Sequence, residues 1–217
     1  HGNQFQYLES QILELVSVKN IQDSARVRLT VFRNEGGFYL PTSNSVSFII
    51  DAIKLESKEY KIVKTSFEVD LYKDFFVGKQ LLSTLKTTNK IIQVTAGIYA
   101  RENDLESCLL INEDKNVVEA ISGNLFMLKD GQLITPSLSQ GCMNGIMRRQ
   151  ILKLAKGIDG LEVVESEISP FDLQKADELF ITNVIIGIQP ITKYRKKEYG
   201  FSLANQLIEK LNEGIGC

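Results

Sequence analysis

Residues 108–135 constrain the fold most. Four apolar segments, at 108–111, 117–121, 124–128 and 132–135, are each only four or five residues long. Asn112-Glu113-Asp114-Lys115-Asn116, Ser122-Gly123 and Lys129-Asp130-Gly131 separate them. Short apolar runs between turn sequences predict a meander of antiparallel strands, with tight hairpins at the first and third breaks.

Around this meander the pattern changes. Leu8, Ile12, Leu15 and Val16 are spaced as one helical face, which predicts a helix over 7–18. Residues 26–32 alternate, with Val27, Leu29 and Val31 on one side and Arg26, Arg28 and Thr30 on the other. That is a half-buried strand, turned by Asn34-Glu35-Gly36-Gly37. Residues 38–40 and 47–55 read as further strands. The segment 91–101 is strand-like by propensity, yet Ile91, Ile92, Thr95, Ile98 and Tyr99 share a helical face, and the period predicts a helix. Asn144 is positioned to cap a helix opening at Gly145, and Ser169-Pro170 to open a short one. Residues 179–191 form an apolar segment interrupted by Thr182-Asn183 and Gly187, and an amphipathic helix is expected over 202–211. The mixture predicts an α+β or mixed α/β fold. The glycine fingerprint of a dinucleotide-binding fold is absent. The polar stretch 56–60 is the natural boundary between a small α/β domain at 1–60 and a larger one at 61–217.

Composition narrows the chemistry. The only histidine is His1, so neither a Ser-His-Asp nor a Cys-His arrangement is available within this sequence. Cys108, Cys142 and Cys217 lie far apart without metal-ligand spacing, so no metal site is expected. Any proton shuttle is then a lysine, a tyrosine, a carboxylate or a cofactor. A net charge of −2 gives no field for nucleic acid, and no apolar run approaches the ~20 residues that span a bilayer. Three sparse cysteines fit free thiols in a reducing compartment, so a cytoplasmic protein is expected.

Four features bear on chemistry. Lys86 follows an apolar stretch and precedes a helix, where desolvation would make its amine nucleophilic; lysines are more often simply solvated. Glu119 sits mid-strand among Val117, Val118, Ala120 and Ile121, facing either solvent or a pocket. The residues after Gly141 lead into a helix start of the kind that binds phosphate, although every helix has such an end. Thr182-Asn183 follows an apolar strand and serves either as anion donors or as a turn.

Their order and wording carry more than any one of them. Leu85-Lys86-Thr87-Thr88-Asn89 comes first, then Val118-Glu119-x4-Asn124-Leu125-Phe126. Thr135-Pro136-x4-Gly141-Cys142-x-Asn144-Gly145-Ile146-Met147-Arg148 follows, then Ala176-Asp177-Glu178-Leu179-Phe180-Ile181-Thr182-Asn183-x6-Pro190-Ile191. This series resembles the class IV aminotransferases, the fold-type IV pyridoxal phosphate (PLP) enzymes, which include branched-chain and D-amino-acid aminotransferases and 4-amino-4-deoxychorismate lyases. The resemblance is strongest over 79–192 and extends weakly to Arg26-Val27-x-Leu29-Thr30-Val31-Phe32-Arg33 with Gly36-Gly37.

The resemblance implies two domains with a PLP site between them, a small-molecule amino substrate and a homodimer. Lys86 matches the Schiff-base lysine and general acid/base, and Glu119 the carboxylate that pairs with the pyridine nitrogen. Asn124 matches the Asn of the same motif, read as support for the strand turn beneath the ring. Ile146 and Met147 match the backbone N–H pair that holds the phosphate, with Thr182 and Asn183 at a second phosphate-side segment. Arg33 matches an arginine near the substrate carboxylates in the lyases. Asn-Gly-Ile-Met-Arg and Thr-Asn look closer to the lyases than to the aminotransferases, which tend to carry Gly-Ile-Thr-Arg. The family's Tyr-Gly-Asp-Gly-x-Phe-Glu-Thr and His-x-x-Arg-Leu segments do not occur. The sequence therefore reads as lacking much of the family's N-terminal region, including its phosphate-binding arginine.

Overall fold

The computed structural model describes residues 2–215; the lone histidine His1, Gly216 and Cys217 lie outside the described residues. The chain divides into two units, residues 1–59 and 60–217.

The first unit is a helix and a hairpin. α1 (Gly2–Val18) packs on β2 (Val46–Lys54), where Tyr7 meets Phe48 edge-on at 6.2 Å. β2 pairs antiparallel with β1 (Ala25–Arg33), from Ala25 opposite Lys54 to Arg33 opposite Val46. The expected strand at 38–40 does not form. Phe38, Tyr39 and Leu40 are exposed in the connecting loop, and the positive φ of Gly36 and Gly37 turns the chain away from a third strand. At Gly37 a Cβ would lie 2.0 Å from the Leu40 carbonyl oxygen, so this turn requires glycine.

The second unit is mixed α/β, built on a ten-stranded sheet. The meander forms β4 (Ser107–Asn112), β5 (Val117–Ala120), β6 (Gly123–Lys129) and β7 (Gln132–Pro136). β6 also pairs with β9 (Glu178–Asn183), whose hairpin partner is β10 (Gly187–Ile191). Two strands not anticipated from sequence extend the sheet through parallel pairs. β3 (Glu68–Val77) joins β4, and β8 (Glu162–Ser166) joins β7. β11 (Lys193–Tyr194) continues it beside β3, with β12 (Lys197–Glu198) at the end.

Every residue of β4 and β5 is buried, because packing covers both faces of the sheet. Leu125 and Met127 of β6 face one core cluster, while Phe126 faces a second. There Phe126 stacks on Phe180 across the strand pair at 5.2 Å, beneath α3 (Ile146–Ala155) and α5 (Ser202–Ile215). A third cluster lies under α2 (Ile91–Glu102), against β3 and β4.

The period reading of α2 was right about helix and wrong about its face. Ala96 and Ala100 form the buried stripe, with Ile92 and Tyr99 packed beside it, whereas Ile91 is 64% exposed. Small alanines let the helix approach the sheet more closely than the isoleucines would. Ser169 caps the short α4 (Pro170–Leu173) in a capping box with Asp172, as its Ser-Pro start predicts. No helix among the described residues is long and apolar enough to cross a membrane.

Candidate active site

A cavity of about 440 Å³ opens where the ends of β5, β6 and β9, the start of α2 and the start of α3 converge. Seven residues singled out from sequence line it: Lys86, Glu119, Asn124, Ile146, Met147, Thr182 and Asn183. All belong to the second unit. Arg33 does not line the cavity; it ends β1 in the first unit, exposed, and its guanidinium donates to the Gly36 carbonyl at 2.8 Å.

Lys86 follows a 3-10 turn at Leu81–Thr84 and precedes α2. The Asn144 N–H donates to the Thr84 carbonyl at 3.0 Å, tying the lysine segment to the loop that enters α3. Lys86 is exposed, so burial does not supply the desolvation the sequence suggested.

Glu119 is 4% exposed, which removes the solvated-strand alternative. Gln93 Nε2 donates to its Oε1 at 3.1 Å, and the Met143 N–H to its Oε2 at 2.9 Å. Burial pushes its carboxyl above the usual range; the Met143 N–H, the Lys90 charge, the Gln93 amide and the Lys86 charge oppose that rise in decreasing order.

Asn124 lies opposite Glu119 on one side and Thr182 on the other in the β5–β6–β9 ladder. It braces a different place from the one expected. Its Nδ2 donates to the Met143 carbonyl at 2.7 Å, so it supports the loop before α3 and not the strand turn. Gly145 lies close against it, and a Cβ there would meet Asn124 Oδ1 at 2.3 Å. The predicted Asn144 cap is also corrected. Gly145 is the N-cap, and the Asn144 side-chain oxygen instead accepts from Arg149 Nη1 at 3.2 Å. Among the described residues no side chain caps α3, so its first-turn N–H groups remain available to an anion.

Thr182 is 1% exposed, and its hydroxyl has no hydrogen-bond partner among the described residues. Asn183 makes the turn that sequence reading set against an anion-binding role. Its Oδ1 accepts from the Ile185 and Ile186 N–H groups, and its Nδ2 donates to the Ser122 carbonyl.

This donor set fits PLP. An amine at Lys86, a buried carboxylate at Glu119, an open helix start and an orphaned hydroxyl at Thr182 match, in turn, an aldehyde, a ring nitrogen and phosphate oxygens. Sequence reasoning missed Lys90, Gln93 and Met143, which also line the cavity. Gln93, polar between the apolar Ile92 and Val94, was the one visible signal. The Met143 contact is made by a backbone N–H, which leaves no trace in residue type.

The family model for amino-transferase class IV matches residues 4–194. The chain belongs to the class IV aminotransferase family. It is 29% identical over 211 residues to the putative branched-chain-amino-acid aminotransferase of Methanocaldococcus jannaschii, covering 93% of this chain and 69% of that protein. It is also 29% identical over 194 residues to the aminodeoxychorismate lyase of Bacillus subtilis, covering 86% of this chain and 64% of that protein. The fold matches the crystal structure of the Thermobaculum terrenum branched-chain amino acid aminotransferase in its PLP form. That match has a TM-score of 0.80 at 21% identity, over 93% of this chain and 67% of the other. The class IV match thus spans both units, and the class IV relatives include both a lyase and aminotransferases.

Proposed function

We propose that this chain serves a PLP-dependent enzyme whose reaction is that of 4-amino-4-deoxychorismate lyase, forming 4-aminobenzoate and pyruvate. The observation that carries the finer reading is the start of α3. It reads Asn144-Gly145-Ile146-Met147-Arg148, and the Met147 side chain is buried at the cavity where the aminotransferase pattern carries a hydroxyl.

When bound, PLP supplies the electron sink, drawing electrons from the substrate carbon that bears nitrogen. Lys86 would hold the cofactor through its amine and would then serve as the base, taking the proton from that ring carbon at Nζ. As the ring became aromatic, its carbon's bond to the enolpyruvyl oxygen would break, and the departing enolpyruvate would take up the proton held at Nζ to become pyruvate. Glu119 keeps positive charge at the cofactor's ring nitrogen. The α3 start and the Thr182 hydroxyl receive the phosphate, and Asn183 shapes the β9–β10 turn beside it. Lys90 is the cavity cation assigned to the substrate carboxylates. A homodimer and a cytoplasmic location complete the proposal.

Incubating the PLP-loaded protein with aminodeoxychorismate and assaying pyruvate tests it; absence of pyruvate overturns the lyase reading. The second reading is an aminotransferase of branched-chain or D-amino acids, favoured by the 93% coverage against a putative branched-chain aminotransferase. In that case an amino acid alone would bleach the cofactor's long-wavelength absorption and yield its keto acid.

A further inference from the structure

A residue outside all four sequence motifs reaches the buried carboxylate. Gln93 lies on the first turn of α2, seven residues after Lys86, and its side-chain amide donates to Glu119 Oε1 at 3.1 Å. The Met143 N–H takes the other oxygen at 2.9 Å. We propose that Gln93 is a positioning residue, which with the Met143 N–H clamps the two oxygens of Glu119, one each, and fixes how that carboxylate meets a nitrogen heterocycle in the cavity. The proposal rests on the PLP reading above.

Two further observations support it. A second cavity of about 360 Å³ is also lined by Lys90, Gln93 and Glu119, so the Gln93 amide stands where the carboxylate borders that space. Without the amide, Oε1 would turn to water there and the carboxylate would lose one of its two fixed directions. In addition, α2 begins just past Lys86, so the clamp couples the lysine segment to the strand that carries Glu119. The charged and titratable groups facing Glu119 are Lys86 and Lys90 from the α2 side and the buried Cys142 thiol from the loop before α3. From β6 and β9 the facing side chains are the neutral Asn124 and Thr182. Gln93 is thus the neutral side chain that donates to the carboxylate.

The test uses cofactor-free protein labelled with 13C at glutamate carboxyls, with Glu119 assigned through Glu119→Gln. In Gln93→Met the Glu119 titration should move upward, because a hydrogen bond to the charged form is lost. PLP affinity, followed by absorbance, should fall about tenfold, and further as pH falls toward that titration. Gln93→Glu keeps the size without the donor and should behave at least as severely. Circular dichroism confirms that each variant is folded, and either folded variant suffices. A Glu119 titration and affinity within twofold of wild type overturn the proposal, as does a shifted titration with unchanged affinity. Wild-type protein that binds no PLP overturns the cofactor reading instead and leaves the NMR arm to judge the clamp.

Discussion

The Asn124 side chain donates to the Met143 carbonyl at 2.7 Å, on the same residue whose N–H donates to Glu119. One side chain therefore holds the loop that both orients the carboxylate and enters α3. Asn124→Ala should weaken PLP binding about tenfold while leaving the fold intact, since one buried hydrogen bond is lost at the loop. Gly145→Ala should do the same from the other side. Its backbone at φ −67° suits alanine, but the new Cβ would displace Asn124 Oδ1. Spectrophotometric titration with PLP checks both.

Thr182 separates binding from stability. Its buried hydroxyl has no partner among the described residues, so Thr182→Val removes an unsatisfied group and should leave unfolding within about 1 kcal/mol of wild type. PLP affinity should nevertheless fall severalfold. Urea unfolding and cofactor titration on the same sample measure the two effects.

Glu119 gives the cofactor-free protein a pH signature. Its folded pKa lies above its unfolded value, so the folded state holds the extra proton between the two. Stability should therefore fall as pH rises through that interval, with the full cost present above the folded pKa. Glu119→Gln should flatten this part of the curve. Denaturation midpoints from weakly acidic to neutral buffer check it, and parallel curves would contradict the assignment.

Asp172 has the opposite sign. The Ser169 hydroxyl, and next the Lys129 ammonium, hold its carboxyl below the usual range. Its contribution is present above the unfolded pKa of about 3.9 and is lost as pH falls through the folded value. Asp172→Ala should cost about 1 kcal/mol at neutral pH through the lost capping box, and less in acid. Thermal unfolding at the two pH values reads the difference.

Much of this was legible in the chain because it is local. Turn residues cut the meander at the right places, the 3.6-residue period identified α2 against its strand propensity, and Ser169-Pro170 announced α4. The failures were non-local. β3 was missed because its alternation is broken by Lys73-Asp74 and its partner β4 lies some thirty residues away. Residues 38–40 have strand-like side chains but no strand to pair with. Asn144 has the chemistry of a cap, yet Arg149 takes its oxygen and Gly145 fills the place. The resemblance gave a site role to seven cavity residues. The cavity-lining Gln93 and the Met143 N–H could be seen only once α2 and the α3 loop were folded onto β5.

Lys86 is the amine proposed to hold the cofactor, and the cavity offers a rival four residues on at Lys90. Borohydride reduction of the PLP-loaded protein, followed by peptide mass spectrometry, decides between them. A single reduced pyridoxyl adduct on Lys86 is expected, abolished in Lys86→Ala and retained in Lys90→Ala. An adduct on Lys90, or no adduct in protein that binds PLP, would contradict it.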